Sequence, residues 1–416
     1  MKVTVAPSAV SGAVHAVPSK SHAHRLLIAA ALADAPCKVV CPAVSRDTEA
    51  TAACLAALGA DVKRTAYGYD VTPVAEAPEH ARLNCGESGS TLRFLLPVAC
   101  ALGVKASFDG EGRLPSRPLG ELTAALKRGG AVFSADSLPL TTGGRLCGSE
   151  FSVDASVSSQ YVSGMLFALA CTGRECTLAA TGNAVSKGYT EMTLNALAAF
   201  GKTVTADGGV YRIPAGSLRS PGEVRAEGDW SSAAFMLAAG ALAGDVTVTG
   251  LAADSAQKDK YIADILARMG ARIHQDSSSC RAAADGALRA VTADISDTPD
   301  LAPVLSVLMA QAEGKSVMTG VARLRDKESD RLDAIMRNLA AMGVRSETDG
   351  DALAVYGTGI RPFEAHGFGD HRMVMSAAVA GLVAGGSVDC AEATAKSYPS
   401  FFEDLGKLGG RLHETV

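Results

Sequence analysis

The sequence repeats itself six times, with a period of roughly 70 residues. A Leu-x-x-x-Gly element recurs at Leu55–Gly59, Leu126–Gly130, Leu197–Gly201, Leu266–Gly270, Leu339–Gly343 and Leu405–Gly409, and the glycines are spaced by 71, 71, 69, 73 and 66 residues. Each glycine closes an apolar helical pattern and precedes a strand-like run. That is where a C-terminal cap in the left-handed conformation is expected. A basic residue keeps the same beat near the start of each of these helices, at Arg46, Arg117, Lys187, Lys258, Lys327 and Lys396. A third series, Ser21, Ser90, Ser159, Ser231, Leu301 and His371, opens a second helix in every unit.

A unit of this length is too long for a typical solenoid repeat and fits two helices with short strands between and after them. Six such units predict an α/β chain of two packed halves with three units each. The middle junction falls between Gly201 and Ser231, with Ala215–Pro221 as a turn on the way.

Composition narrows the function classes. The formal charge of the 416-residue chain is −5, which excludes a globally basic nucleic-acid coat but not a local anion site. Hydrophobic residues make up 48%, enough for a substantial core. The start, Met-Lys-Val-Thr-Val-Ala-Pro-Ser, reads as a short strand and not as a signal peptide, and the most apolar windows, such as 373–386, are too short to span a membrane. The ten cysteines form no metal-ligand cluster and read as reduced core thiols. A cytoplasmic protein without metal or organic cofactor is expected, binding neither nucleic acid nor membrane.

Four segments place small polar residues and backbone donors at a helix start: Pro18–Arg25, Gly86–Arg93, Ser158-Ser159-Gln160 and Gly369-Asp370-His371-Arg372, three of them with Lys or Arg. Unpaired N–H groups and the positive dipole end favour phosphate or carboxylate there. Ordinary capping explains any one of these segments, but four in periodic register point to anion binding. Gly86–Thr91 lacks the G-K-[ST] ending of a nucleotide P-loop. A fifth segment, Lys327-Glu328-Ser329-Asp330-Arg331, is read as a first helical turn with Glu328, Lys327 and Arg331 on one face. Asp300 opens the fifth unit's first helix. His22 and His24 receive no role, and Arg46 and Lys258 stay outside the site.

These residues, in this order, resemble the 5-enolpyruvylshikimate-3-phosphate synthases (3-phosphoshikimate 1-carboxyvinyltransferases). The match runs through Pro18-Ser19-Lys20-Ser21 with Arg25, Gly86–Arg93, Arg113-x-x-x-Arg117-Pro118, Ser158-Ser159-Gln160, Ser186-Lys187-x-Tyr189 and Asp229-x-Ser231-Ser232. It continues through Asp300, Lys327–Arg331 and Asp370-His371-Arg372 to Lys396, covering essentially the whole chain.

The resemblance implies a two-domain inverse α/β barrel of six βαβαββ repeats. Residues 18–227 would form the first domain, and 1–17 plus 228–416 the second, joined by a double-stranded hinge. It implies transfer of the enolpyruvyl group of phosphoenolpyruvate to the 5-hydroxyl of shikimate 3-phosphate by a monomer, with glyphosate as inhibitor. Lys20, Ser21, Arg25, Ser158, Ser159, Gln160, Ser186, Asp300 and Lys327 would hold shikimate 3-phosphate. Lys20, Gly89, Arg117, Gln160, Arg331, Arg372 and Lys396 would hold phosphoenolpyruvate. Asp300 would accept a proton, Glu328 would donate one with Lys396 as the alternative acid, and Lys20 and Lys396 would stabilise charge on the leaving phosphate.

Two positions depart from the family pattern. Glu87 stands where Asn is frequent, and Arg323 stands where many members have a shikimate-binding Asn. The competing reading is a UDP-N-acetylglucosamine enolpyruvyl transferase. That family typically has a Cys in the loop that here reads Gly112–Pro118, and lacks the Asp370-His371-Arg372 motif. A non-catalytic phosphate-binding repeat protein would have lost Asp300 or Glu328, and both are present.

Overall fold

The structure, a computed structural model, describes residues 1–182 and 187–415. Its helices are α1 (Lys20–Ala31), α2 (Arg46–Ala57), α3 (Gly89–Leu102), α4 (Gly120–Arg128), α5 (Ser159–Cys171) and α6 (Lys187–Ala199). They are followed by α7 (Trp230–Ala243), α8 (Ile262–Met269), α9 (Ala302–Gln311), α10 (Arg331–Ala341), α11 (His371–Ala384) and α12 (Phe401–Lys407). The chain divides into two compact units, Pro18–Ala226 and Met1–Val17 with Glu227–Val416.

Each unit contains three four-stranded sheets built to one plan. In the second repeat His80–Asn84 leads into α3, and Lys105–Asp109 returns parallel to it. After α4 come Ala131–Phe133 and Leu140–Gly144, the latter antiparallel to Lys105–Asp109. This is a βαβαββ repeat, the α/β architecture expected. Three strands reach their sheets from distant sequence. Glu223–Arg225 lies parallel to Cys37–Val40 as the first strand of repeat one, and Val10–His15 lies parallel to Gly244–Thr249 in repeat four. Lys2–Ala6 fills the last position of repeat six, between Gly386–Val388 and Arg411–Thr415. Its Val3 and Val5 are buried while their neighbours face out, the alternation of a half-buried strand.

The two helices of a repeat do different work. The first ones, α1, α3, α5, α7, α9 and α11, are apolar nearly all round and form the cores; every residue from Trp230 to Ala241 in α7 is buried. The second ones are amphipathic: α10 buries Leu332, Ala334, Ile335 and Leu339 and exposes its other face. The six glycines of the Leu-x-x-x-Gly series all have positive φ, between 72° and 108°, as the caps require. All but Cys147, Cys171 and Cys390 of the ten cysteines are buried, and none forms a disulfide. No described helix is long and apolar enough to cross a membrane.

One expectation fails locally. Lys327–Asp330 is not helical; a 3-10 turn covers Ala322–Asp326 and α10 begins at Arg331. The reason is capping. The Asp330 side chain accepts from the Asp333 backbone N–H at 3.1 Å, which fixes Asp330 as the N-cap and leaves 327–329 as a bend. Arg117, Lys258 and Lys396 likewise sit in or beside 3-10 turns that precede the second helix, not within it.

Candidate active site

In the Pro18–Ala226 unit side chains tie the start of α1 to that of α2, and the start of α3 to that of α5. Lys20 opens α1 and donates to Asp47 Oδ2 at 2.8 Å. Gln160, in the first turn of α5, is held at both ends of its amide. Its Oε1 accepts from Arg93 Nη1 at 2.8 Å, and its Nε2 donates to Ser90 Oγ at 2.9 Å. Arg93 also donates to the Pro118 carbonyl at 3.1 Å. Gly89 is pressed beneath two guanidinium groups: an added Cβ would lie 2.8 Å from Arg117 Nη1 and 2.9 Å from Arg93 Nη1. Ser158 caps α5 by accepting from the Gln160 N–H at 3.3 Å, and Ser159 is buried beside it.

Arg25 sits deeper than a surface cation. It is 1% exposed and donates to Thr193 Oγ1 (2.8 Å), Ser21 O (2.6 Å) and Tyr189 O (2.8 Å), with the Phe94 ring 5.0 Å away. Burial lowers its pKa to about 10. Arg25 thereby locks α1 against α6. The Glu87 carboxyl lies against the backbone of Gly112, where a Cβ would come within 2.7 Å of it. Ser186 lies outside the described residues.

In the other unit the centre is Arg331, 1% exposed and surrounded by three carboxylates. Its Nε donates to Asp370 Oδ2 (2.7 Å), its Nη1 to Asp300 Oδ1 (2.8 Å) and its Nη2 to Glu328 Oε2 (2.7 Å). Arg372 donates to the other Asp300 oxygen at 2.8 Å, and Lys327 Nζ is 3.8 Å from Asp300 Oδ1. Lys396 Nζ donates to the Gly369 carbonyl at 2.7 Å. Asp370, fully buried, caps α11 through the Arg372 N–H (3.0 Å) and accepts from Ser329 Oγ (3.1 Å). His371 Nδ1 is 3.7 Å from Asp370 Oδ1.

Asp300 does not cap its helix: it lies in the 3-10 turn Pro299–Leu301 ahead of α9, and its carboxylate is 18% exposed. Burial would raise its pKa, but Arg372, Lys327 and Arg331 hold it well below the usual carboxylate range. Burial pulls Lys327 down to about 8, against the opposing pull of Asp300. Asp370 is also held low, because Arg331 outweighs its burial.

Sequence reasoning missed three carboxylates. Asp47 holds Lys20 across 27 residues, and no linear pattern announces that pairing. Asp370 was visible within the Asp370-His371-Arg372 motif, but its role as counter-ion to Arg331 was not. Asp259 is buried next to the Asp300 cluster. Burial first and Asp300 second raise its pKa to about 7, with Arg372 opposing.

The chemistry the arrangement can perform is anion binding by rigid cations next to carboxylates able to move protons. The fold is that of solved enolpyruvyl transferase structures. An EPSP synthase from Acinetobacter baumannii superposes with a TM-score of 0.83 at 22% identity, covering 100% of both chains. The enolpyruvyl transferase NikO from Streptomyces tendae gives 0.77 at 21%, covering 100% of this chain and 98% of that one.

Sequence comparison carries the assignment further. The family model for EPSP synthase (3-phosphoshikimate 1-carboxyvinyltransferase) matches residues 5–405. A 3-phosphoshikimate 1-carboxyvinyltransferase from Methanothrix thermoacetophila is 41% identical over 424 residues, covering 100% of both chains. The chain belongs to the EPSP synthase family.

Proposed function

We propose that the protein transfers the enolpyruvyl group of phosphoenolpyruvate to the 5-hydroxyl of shikimate 3-phosphate and releases phosphate. The observation that carries this reading is the pair of carboxylates, Asp300 and Glu328, hydrogen-bonded to one buried guanidinium, Arg331, with Arg372 and Lys327 beside them. A mere phosphate-binding protein has no use for two carboxylates set among its anion-binding cations.

In this reading Arg331, Arg372 and Lys396, together with Lys20, Gly89, Arg117 and Gln160, bind the carboxylate and phosphate of phosphoenolpyruvate. Forked Arg donors suit both groups. Lys20, Ser21, Arg25, Ser158, Ser159, Gln160, Ser186, Asp300 and Lys327 bind shikimate 3-phosphate. Asp300 accepts the proton of the 5-hydroxyl as that oxygen attacks the central carbon of phosphoenolpyruvate, and Glu328 gives a proton to the methylene carbon. The tetrahedral adduct then loses a proton from the new methyl group and expels phosphate, with Lys20 and Lys396 stabilising the departing charge.

Phosphate release that requires both phosphoenolpyruvate and shikimate 3-phosphate tests the reading. Turnover with UDP-N-acetylglucosamine in place of shikimate 3-phosphate would overturn it, as would no turnover with either acceptor.

A further inference from the structure

Behind the helix starts that present Lys20 and Gly89 runs a row of buried polar groups that the mechanism above does not use. His24 on α1 is fully buried, and its Nδ1 lies 2.7 Å from Thr51 Oγ1 on α2. Thr51 Oγ1 is 2.6 Å from Thr91 Oγ1 on α3. Thr91 Oγ1 donates to Ser88 Oγ at 2.7 Å. Ser88 is the N-cap of α3 and also accepts from the Thr91 N–H at 3.2 Å. Thr91 Oγ1 further lies 3.4 Å from the carbonyl of Asp47, the residue whose carboxylate holds Lys20.

The direction of the relay follows from its end. Thr91 donates to Ser88, so its oxygen accepts from the Thr51 hydroxyl, and Thr51 in turn accepts from His24 Nδ1–H. That leaves His24 Nε2 as a bare acceptor in the core, and no described group bonds to it. A buried acceptor without a partner is tolerated better than a buried N–H without one. Burial, reinforced by Lys20 and Arg25, keeps the imidazole neutral.

Simple packing does not call for this arrangement. Apolar side chains of the same shape would fill the space without hydrogen-bond partners to satisfy, and would let three helices slide against one another. Directional bonds between side chains of α1, α2 and α3 set one register among them. The residue that register places is Gly89, the first of α3, with the Arg117 guanidinium against it.

We propose that His24, Thr51 and Thr91 are positioning residues for phosphoenolpyruvate, holding Gly89 and Arg117 at a set distance from Lys20. The inference rests on the function proposed above and names which of its two substrates the network serves.

Thr51→Val keeps the shape and removes the hydroxyl; Thr51→Ser keeps the hydroxyl. In steady-state phosphate release, Thr51→Val is expected to raise KM for phosphoenolpyruvate roughly tenfold. That is less than the hundredfold of a full ångström of misplacement. KM for shikimate 3-phosphate should change less than about threefold, and Thr51→Ser should restore the wild-type value. Hydrogen exchange of the Thr91 amide should quicken at least about tenfold in Thr51→Val, because the Thr91 hydroxyl that bonds Ser88 Oγ loses the Thr51 donor that fixes it. A phosphoenolpyruvate KM within twofold of wild type, an equal rise of both KM values, or no rescue by Ser would overturn the proposal. If the wild-type protein shows no turnover with the two substrates, the proposed function fails by itself. The exchange measurement then decides the network, and an unchanged Thr91 rate overturns it.

Discussion

Arg331 Nη1 donates to Asp300 Oδ1 at 2.8 Å, and this one bond joins the first residue of α10 to the turn ahead of α9. It places the proposed proton acceptor on the guanidinium proposed to grip the substrate's anionic group. The two compete for the same donor. While Arg331 and Arg372 both serve Asp300, its pKa lies well below the usual range, which makes it a weak base. A substrate anion that takes over part of that donation lets the Asp300 pKa rise towards its task. Base strength is then coupled to occupancy of the site.

Arg331→Ala should do more than weaken phosphoenolpyruvate binding. It removes one counter-ion shared by Asp300, Glu328 and Asp370, the last fully buried. Removing one partner of a buried ion pair costs about 3–5 kcal/mol, so thermal unfolding should shift down markedly. Arg331→Lys should recover part of the stability and little of the activity, because an ammonium cannot fork to three carboxylates. A variant of wild-type stability and activity would remove Arg331 from both roles.

Asp300→Asn and Glu328→Gln separate the two proton transfers. Asp300→Asn should lower kcat about a hundredfold, the lower range for loss of a general base, while both substrates still bind. Glu328→Gln should abolish deuterium uptake from heavy water into the methylene carbon of phosphoenolpyruvate. Persistent uptake would make Lys396 the donor.

Lys327 should set an alkaline limit. Its pKa is lowered to about 8, and shikimate 3-phosphate is proposed to bind its protonated form. KM for shikimate 3-phosphate should therefore rise as pH increases through about 8, and Lys327→Arg should move that limb to higher pH, since Arg stays charged. A KM independent of pH between 7 and 9.5 would separate Lys327 from the substrate.

Gly89→Ala should raise KM for phosphoenolpyruvate and weaken glyphosate by a larger factor. The new methyl lands 2.8–2.9 Å from the Arg117 and Arg93 guanidinium groups, so both must move. Arg93 cannot yield without disturbing Gln160. An inhibition constant that rises by no more than the same factor as KM would show that the added methyl does not discriminate against the inhibitor.

Asp259→Asn should stabilise the protein at pH 8 and much less at pH 5. Burial raises the Asp259 pKa to about 7, far above its unfolded value. Its contribution to stability is therefore fully present below the unfolded pKa and is lost as pH rises towards and through about 7. At pH 8 the ionised carboxylate is a burden that the amide removes. The gain should be at least about 1 kcal/mol in chemical denaturation. Equal effects at both pH values would show that Asp259 does not titrate there.

The sequence alone determined the sixfold architecture, because periodic glycine caps and apolar helix faces are local properties spelled out in each repeat. It also placed the cations, since Arg117, Lys327 and Lys396 stand in register whether or not a helix surrounds them. What it misjudged at Lys327–Asp330 was local too: an Asp cap delayed the helix to Arg331. Only the tertiary structure decided the partners. Asp300 meets Arg331 and Arg372 across 31 and 72 residues, Lys20 meets Asp47 across 27, and Lys2–Ala6 completes a sheet with Arg411–Thr415. Ion pairs and sheet edges depend on distances of a few ångströms between segments that the chain brings together only when folded. Burial, which shifts the pKa values of Lys327 and Asp259, and the cations that outweigh it at Asp300 are likewise properties of the packed molecule and not of any stretch of it.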